Sequence, residues 1–412
     1  MAQGLIIGLP LHGHMAPLLP LVRELVARGD ELVVYADAAF AEAIVQTGAR
    51  YQPYRASRMH DLAALPDRTD AIAAVLMGIV DDVLAADLPD MRGVRPDYIV
   101  TDSVAPWGHW VAQLLGVPLV TSITTFAINR HVLAFAASQG VRPKSVRLML
   151  SKLAHVSNAL MLRRRLSRRY RVPGLGVFGT VCGHSALNIV HTSREFQPHS
   201  DTFDDSFHFV GPPDVDPDGA LRGPAPAPSW PPGTSPLVYV SLGTLFNANA
   251  EFYRHCVEAF REEPVRVIMS IGSRVSALAL GDLPANVTVA PVVPQLEVLQ
   301  RASAFVTHGG MNSVSESLRY GVPMVTVPQM GEQAIVSRRV EQLGAGVYLA
   351  NADVSPERLR LGVRRLLAEA RFREQAARIG ATLLSAGGTA KAASLVREFA
   401  GRVAAVTRVT GG

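Results

Sequence analysis

Two cysteines in 412 residues, Cys182 and Cys256, are too few for a disulfide framework and cannot build a four-cysteine zinc site. A reducing cytoplasm is the compartment that this usage suits. Charged residues make up only 18% of the chain against 48% hydrophobic, a balance that excludes disorder and suits parallel sheets covered on both faces. No apolar run approaches the roughly 20 residues of a membrane helix. The first charged residue is Arg23, yet Pro10, Pro17, Pro20 and two histidines break the stretch before it and no basic leader precedes it, so neither a signal peptide nor a membrane span is expected there. Two phosphate signatures are missing as well. Without Gly-x-x-x-x-Gly-Lys-Ser/Thr nothing points to a triphosphate hydrolase, and "GLPLHGH" stands where a nicotinamide dehydrogenase needs Gly-x-Gly-x-x-Gly.

Basic character is confined to one place. Residues 142–171 hold ten Lys or Arg and no acid, so that without them the net charge of +5 becomes −5. "RRRLSRRYR" reads as a solvated helix face rather than a nucleic-acid surface, since no aromatics interleave the charges.

What is present is alternation. Leu5, Ile6, Ile7 and Leu9 form a short buried strand, Pro17 suits the first turn of a following helix, Leu18, Leu21, Val22, Leu25 and Val26 recur at helical spacing, and Gly29 offers a stop. "ELVVYAD" is the next strand, and "RPDYIVTD", "VPLVTSIT" and "SALNIVHTS" continue the series. From Gly211 to Pro236 the chain turns dense in Pro and Gly and reads as a linker, and Asp214-Val-Asp216 within it reads as solvated loop rather than a metal site. The strands "LVYVSLGT", "VRVIMSIG", "NVTVAPVV", "AFVTHGG" and "VPMVTVPQ" then follow. The expectation is two doubly wound α/β domains, residues 1–213 and 237–385, joined by 214–236. A last helix, with Ala392, Leu395, Val396, Phe399 and Val403 along one face, needs a surface to pack on.

The most informative stretch runs from Phe305 to Gln333. A strand closes at Thr307, Gly309 and Gly310 permit a tight turn, and Ser313-x-x-Glu316 has the spacing of a capping box. A helix start of this kind is an anion site, with His308, Asn312 and Ser313 as further donors. Ser241-Leu-Gly-Thr244 ends another strand in a Gly-containing turn with hydroxyls on the same sheet edge. A diphosphate fits two converging turns. At the amino-terminal turn, His12 and His14 lie two apart, so only one of them is expected to face a cleft.

"VPQLEVL" at Val293, "THGGMNSVSES" at Thr307, "GVPMVTVPQMGEQ" at Gly321, "VSLGT" at Val240 and the "HGH" turn together resemble the nucleotide-sugar-dependent glycosyltransferases of the macrolide and natural-product family. The resemblance spans essentially the whole chain. It implies a GT-B fold of two facing Rossmann-like domains, the acceptor on the first and the nucleotide sugar on the second, with helix 386–406 crossing back to the first. By motif position it gives the donor diphosphate to His308, Gly310, Asn312, Ser313 and Thr244, the ribose and base to Gln295, Val293 and Glu316, and the sugar hydroxyls to Glu332 and Gln333. Val292 departs from the pattern, since many members stack an aromatic on the base there.

The resemblance also chooses between the histidines. In its G-H-x-x-P pattern His14, three residues before Pro17, is the general base for an inverting transfer in which the diphosphate leaves from the opposite face. Asp102, at the end of "YIVTD", is the acid that orients it, and it is also placed to cap the next helix. An imidazole suits the task because its ordinary pKa of about 6.5 leaves it neutral and still basic near working pH. The implied co-substrate is a UDP- or TDP-linked sugar and the acceptor a hydrophobic small molecule such as a macrolide, polyketide or flavonoid, with Met77, Ile79, Phe126 and Phe135 as candidate pocket residues. No metal or other cofactor, nucleic acid or membrane is implied. A nucleotide-sugar epimerase of the same fold and a non-catalytic binding protein are the alternatives.

Overall fold

The apolar runs become two parallel sheets. The computed structural model describes residues 1–67, 72–139, 146–173, 175, 179, 182–213, 230–244 and 247–410, with the backbone alone for 63–67, 146–156 and 404–410. Strands β1 (Gln3–Ile7), β2 (Glu31–Ala36), β3 (Arg50–Pro53), β4 (Tyr98–Asp102), β5 (Leu119–Ile123), β6 (Leu187–Val190) and β7 (Phe207–Phe209) form the first sheet, in the order β3-β2-β1-β4-β5-β6-β7. Strands β8 (Leu237–Ser241), β9 (Arg266–Ser270), β10 (Val287–Ala290), β11 (Ala304–Thr307), β12 (Met324–Thr326) and β13 (Gly346–Tyr348) form the second, in the order β10-β9-β8-β11-β12-β13. Every pairing is parallel, which is why most of these strands are apolar on both faces.

Both sheets reverse their strand order once, between β1 and β4 in the first and between β8 and β11 in the second. Open α/β sheets bind ligands at the carboxyl side of such a reversal, where the flanking loops diverge and leave a crevice. His14 and Asp102 lie at the first reversal, Gly243 and His308 at the second.

Helix α1 (His12–Ala27) starts earlier than expected, with Leu11 as its N-cap. Pro17 therefore lies inside the helix rather than in its first turn, and Pro20 with it. The Leu11 carbonyl takes the N–H groups of both His14 and Met15, which secures the first turn without help from Pro17. At the other end Gly29, at φ +93°, supplies the left-handed stop.

Helix α2 (Val146–Tyr170) carries part of the basic segment. Its Ala159 and Leu166 join the first core, Arg164, Arg165 and Arg168 face outward, and Arg169 stands 3.3 Å from Asp81, as a solvated face requires. Asp214-Val-Asp216, with residues 214–229 of the linker, lies outside the described residues.

Helix α3 (Gly388–Thr410) crosses back onto α1. Ala392, Ala393 and Val396 pack into one cluster with Leu18, Leu21 and Val22, completing one face of the first core. Arg28 donates to Ser394 Oγ at 2.8 Å, and Arg397 to the Arg28 carbonyl at 2.7 Å. The lobes also meet directly. Arg339 donates to the carbonyls of Glu195 at 2.6 Å and Phe196 at 3.0 Å, Arg378 pairs with Glu195, and Ser193 Oγ lies 2.9 Å from Thr382 Oγ1. Among the described residues no helix is long and apolar enough to cross a membrane.

Candidate active site

His14 is the third residue of α1, within its first turn, and residues two apart on a helix point about 200° apart. His12 accordingly turns to Phe40, ring centroids 5.0 Å apart, while His14 faces the opposite way. The two therefore separate as expected, through helical rather than irregular backbone. His14 Nδ1 lies 2.8 Å from Asp102 Oδ2, and its side chain is 16% exposed against 2% for Asp102. Asp102 Oδ1 accepts from the Val104 amide at 2.8 Å. That bond closes a turn just before helix Pro106–Leu115, whose N-cap is Ala105 without a side-chain cap, so Asp102 shapes the approach to the helix but does not cap it.

Thr124, just beyond β5, places Oγ1 3.1 Å from the same His14 nitrogen. Sequence reasoning missed it. The available signal was a hydroxyl at the carboxyl end of a strand, but only the sheet order makes β5 the neighbour of β4. Burial lowers the pKa of His14, and the Asp102 charge, the Asp102 hydrogen bond and the Glu332 charge together outweigh it, so the net shift is upward. Glu332 stands at the start of helix Gly331–Gln342. Desolvation raises its pKa, His14 opposes that rise and Asp102 adds to it. Glu332 thus belongs to the second lobe and shares a field with the first lobe's His–Asp pair, although its surface remains accessible to solvent from the cleft.

In the second lobe the two glycine turns do converge, and they meet on His308. A Cβ on Gly243 (φ +76°) would come within 2.6 Å of the imidazole Cε1, and a Cβ on Gly310 would fall closer still to Nε2. The ring is clamped between backbones that only glycine allows to approach. Burial pushes the His308 pKa down to about 4, against a hydrogen bond to the Ser241 backbone, so the ring is neutral at working pH.

Helix α4 (Met311–Arg319) begins beside that ring with Gly310 as N-cap and no side-chain cap. The expected capping box is not formed. Ser313 and Glu316 lie inside the helix, and both face Gln295, whose Nε2 reaches Glu316 Oε2 at 2.6 Å and Ser313 Oγ at 3.5 Å. Gln295 Oε1 accepts from Tyr239 at 3.1 Å. The first turn of α4 therefore presents backbone N–H groups without a capping side chain, the arrangement that attracts an anion. Thr244 is exposed beside Gly243, and Asn312 donates from Nδ2 to the Gly13 carbonyl across the cleft at 3.1 Å.

The remaining residues divide. Gln333 is buried, with Oε1 accepting from the Gln329 amide at 2.8 Å. The Val293 side chain is spent in the second core, so only its backbone is left for a ligand, whereas neighbouring Val292 is 48% exposed. Met77 and Ile79 pack in the core of the first sheet, Phe126 packs against Phe196 in a cluster that continues into the second lobe, and Phe135 meets His199 edge-on. Met77 and Ile79 thus share one cluster, while Phe126 and Phe135 pack with other partners. Among the described residues no group of three His, Cys, Asp or Glu side chains is placed to hold a metal ion.

Residues 260–398 match the family model of the erythromycin biosynthesis protein CIII-like C-terminal domain. Over 96% of its length the chain is 33% identical to the NDP-glycosyltransferase YjiC of Bacillus licheniformis, of which 96% is covered. It is 30% identical to the demethyllactenocin mycarosyltransferase of Streptomyces fradiae, over 94% of this chain and 84% of that one. The calicheamicin glycosyltransferase CalG4 superposes with a TM-score of 0.79 at 31% identity, covering 98% of this chain and 99% of the other. With two Rossmann-like lobes in the GT-B arrangement and sequence kinship along its whole length, the chain belongs to the nucleotide-sugar-dependent glycosyltransferases of the macrolide and natural-product family.

Proposed function

We propose that the protein transfers a sugar, with inversion, from a UDP- or TDP-linked donor to a hydroxyl of a hydrophobic small molecule, and that His14 is the general base. The acceptor side is residues 1–213 with the returning helix, and the donor side is 237–385. One observation carries this reading: the His14–Asp102 pair, 2.8 Å apart at the first sheet's reversal, lies across the cleft from the α4 cradle, whose Asn312 reaches the residue next to His14.

The chemistry follows from that placement. Asp102 accepts a hydrogen bond from Nδ1–H and stays ionised, which fixes the tautomer and leaves the Nε2 lone pair to take the proton of the acceptor hydroxyl. The acceptor oxygen forms its bond to the anomeric carbon while the bond from that carbon to the diphosphate oxygen breaks, and the nucleoside diphosphate leaves with the electron pair. Its charge is met by the N–H groups of the first turn of α4, with Gly310, Asn312, Ser313, Thr244 and His308 around it. Gln295 and Glu316, already joined, form the ribose subsite with the Val293 backbone, and Glu332 with Gln333 holds the sugar between cradle and base. Asp102 afterwards stabilises the imidazolium.

A panel of UDP- and TDP-sugars, each with and without polyketide and flavonoid acceptors, tests this. The expected result is nucleoside diphosphate release that depends on acceptor and an anomeric configuration opposite to the donor's. Conversion of the donor sugar without acceptor would make the protein an epimerase, and binding without turnover a non-catalytic binder.

A further inference from the structure

Pro17 occupies the sixth position of α1, where a residue normally donates its N–H to the carbonyl four places earlier. Proline has no N–H, and its ring crowds that carbonyl and turns it away from the helix axis. The carbonyl in question belongs to Gly13. It accepts from the Asn312 side chain at 3.1 Å, across the cleft and 299 residues away in sequence. Gly13 adjoins His14, and Asn312 is the second residue of α4. The Asn312 amide nitrogen carries two hydrogens, so one can hold Gly13 while the other turns to an anion in the cradle.

We propose that Pro17 is a positioning residue: by withholding an N–H from the Gly13 carbonyl, it reserves that oxygen for Asn312 and so ties the diphosphate cradle of the second lobe to the helix end that bears His14. A proline inside a helix is ordinarily a defect, and here it creates the acceptor for an interlobe bond. The tether sets the distance from base to donor within the complex. Its effect on rate rests on the function proposed above, whereas the bond itself does not.

Pro17→Ala restores the missing N–H and offers the Gly13 carbonyl a partner within its own helix. We expect kcat to fall about fivefold, the factor that one ordinary hydrogen bond represents, with donor KM nearly unchanged. The melting temperature should hold or rise, since alanine is far the better residue inside a helix. A proline that merely supported the fold would lose stability together with rate. Asn312→Ala should lower kcat as well, and adding Pro17→Ala to it should bring no further loss, because both changes remove the same bond.

A readout independent of activity accompanies these. The Asn312 side-chain amide resonance of the ligand-free protein, assigned by its disappearance in Asn312→Ala, should move in Pro17→Ala. Pro17→Val, closer to proline in volume and also carrying an N–H, serves if the alanine variant loses its fold. An unmoved resonance, or losses of kcat that multiply in the double variant, would overturn the proposal. Absence of any sugar transfer by the parent protein, with the resonance still moving, would refute the function and leave the tether standing.

Discussion

Asp102→Asn preserves the shape of a side chain that is 2% exposed and removes its charge. Two contacts are at stake, Oδ2 to His14 Nδ1 at 2.8 Å and Oδ1 from the Val104 amide at 2.8 Å. Asparagine can keep the second through its own oxygen, so the turn before helix Pro106–Leu115 survives. The loss falls on His14. Burial depresses its pKa, and the Asp102 charge and hydrogen bond are the main opposition, with Glu332 third. Once the charge is gone burial prevails, and the pKa moves down.

Two changes in rate follow. The imidazolium formed on proton transfer loses its counter-charge, and a hydrogen bond to a charged group contributes about 1.5–3 kcal/mol. At roughly 1.4 kcal/mol per decade the kcat plateau falls about ten- to a hundred-fold. The acid limb moves too. A base must be neutral to accept a proton, so the parent rate is present above the raised pKa of His14 and is lost as pH falls through it. In Asp102→Asn that limb shifts to lower pH while the plateau drops. Initial rates of nucleoside diphosphate release from about pH 5 to 9 give both quantities, and circular dichroism confirms the fold. A plateau within about twofold of the parent, or an acid limb that stays in place or climbs, refutes the reasoning.

Other consequences are open to direct test. His14→Ala should cut transfer by about 10²- to 10⁴-fold while nucleoside diphosphate still raises the melting temperature, and a near-normal rate would show that His14 is not the base. His109 and His191 are buried, and burial pushes each pKa down to about 4, so they stay neutral in the fold when the unfolded chain takes up protons. The unfolded state therefore binds more protons between the ordinary histidine value and about pH 4, so stability falls as pH drops through that window, by up to about 3 kcal/mol for each group. A pH series of chemical denaturation that stays flat there would contradict it. Incubation with a chelator should leave transfer unchanged, and recovery of activity only on adding a divalent ion would count against a cradle built from N–H groups.

The sequence disclosed some parts of the molecule and hid others for physical reasons. Apolar runs marked most strands, so β2, β4 to β6 and β8 to β12 fall within the stretches expected, while β1, expected over Leu5–Leu9, begins two residues earlier at Gln3 and ends at Ile7. The short edge strands did not stand out: β3 reads Arg-Tyr-Gln-Pro and is only partly covered, and β7 and β13 have three residues each. The preference of proline for a first helical turn placed the start of α1 too late, because a helix can carry a proline farther in where the stranded carbonyl finds another partner. Ser313 and Glu316 have capping-box spacing, yet a glycine N-cap precedes them and Gln295 claims both side chains. His14, Asp102 and His308 were legible because a motif fixes each to the end of a strand. Thr124 was not, since a contact between neighbouring strands depends on sheet order, which no local pattern encodes.

The return of α3 to the first lobe has a consequence for synthesis. The apolar stripe of Leu18, Leu21 and Val22 is covered by Ala392, Ala393 and Val396. At about 5–20 residues per second, roughly 20–70 s separate translation of the stripe from that of its cover. During that interval the nascent first lobe shows greasy surface to solvent and to other emerging chains, and a chaperone able to shield it would be expected to improve the yield of active molecules more than their specific activity.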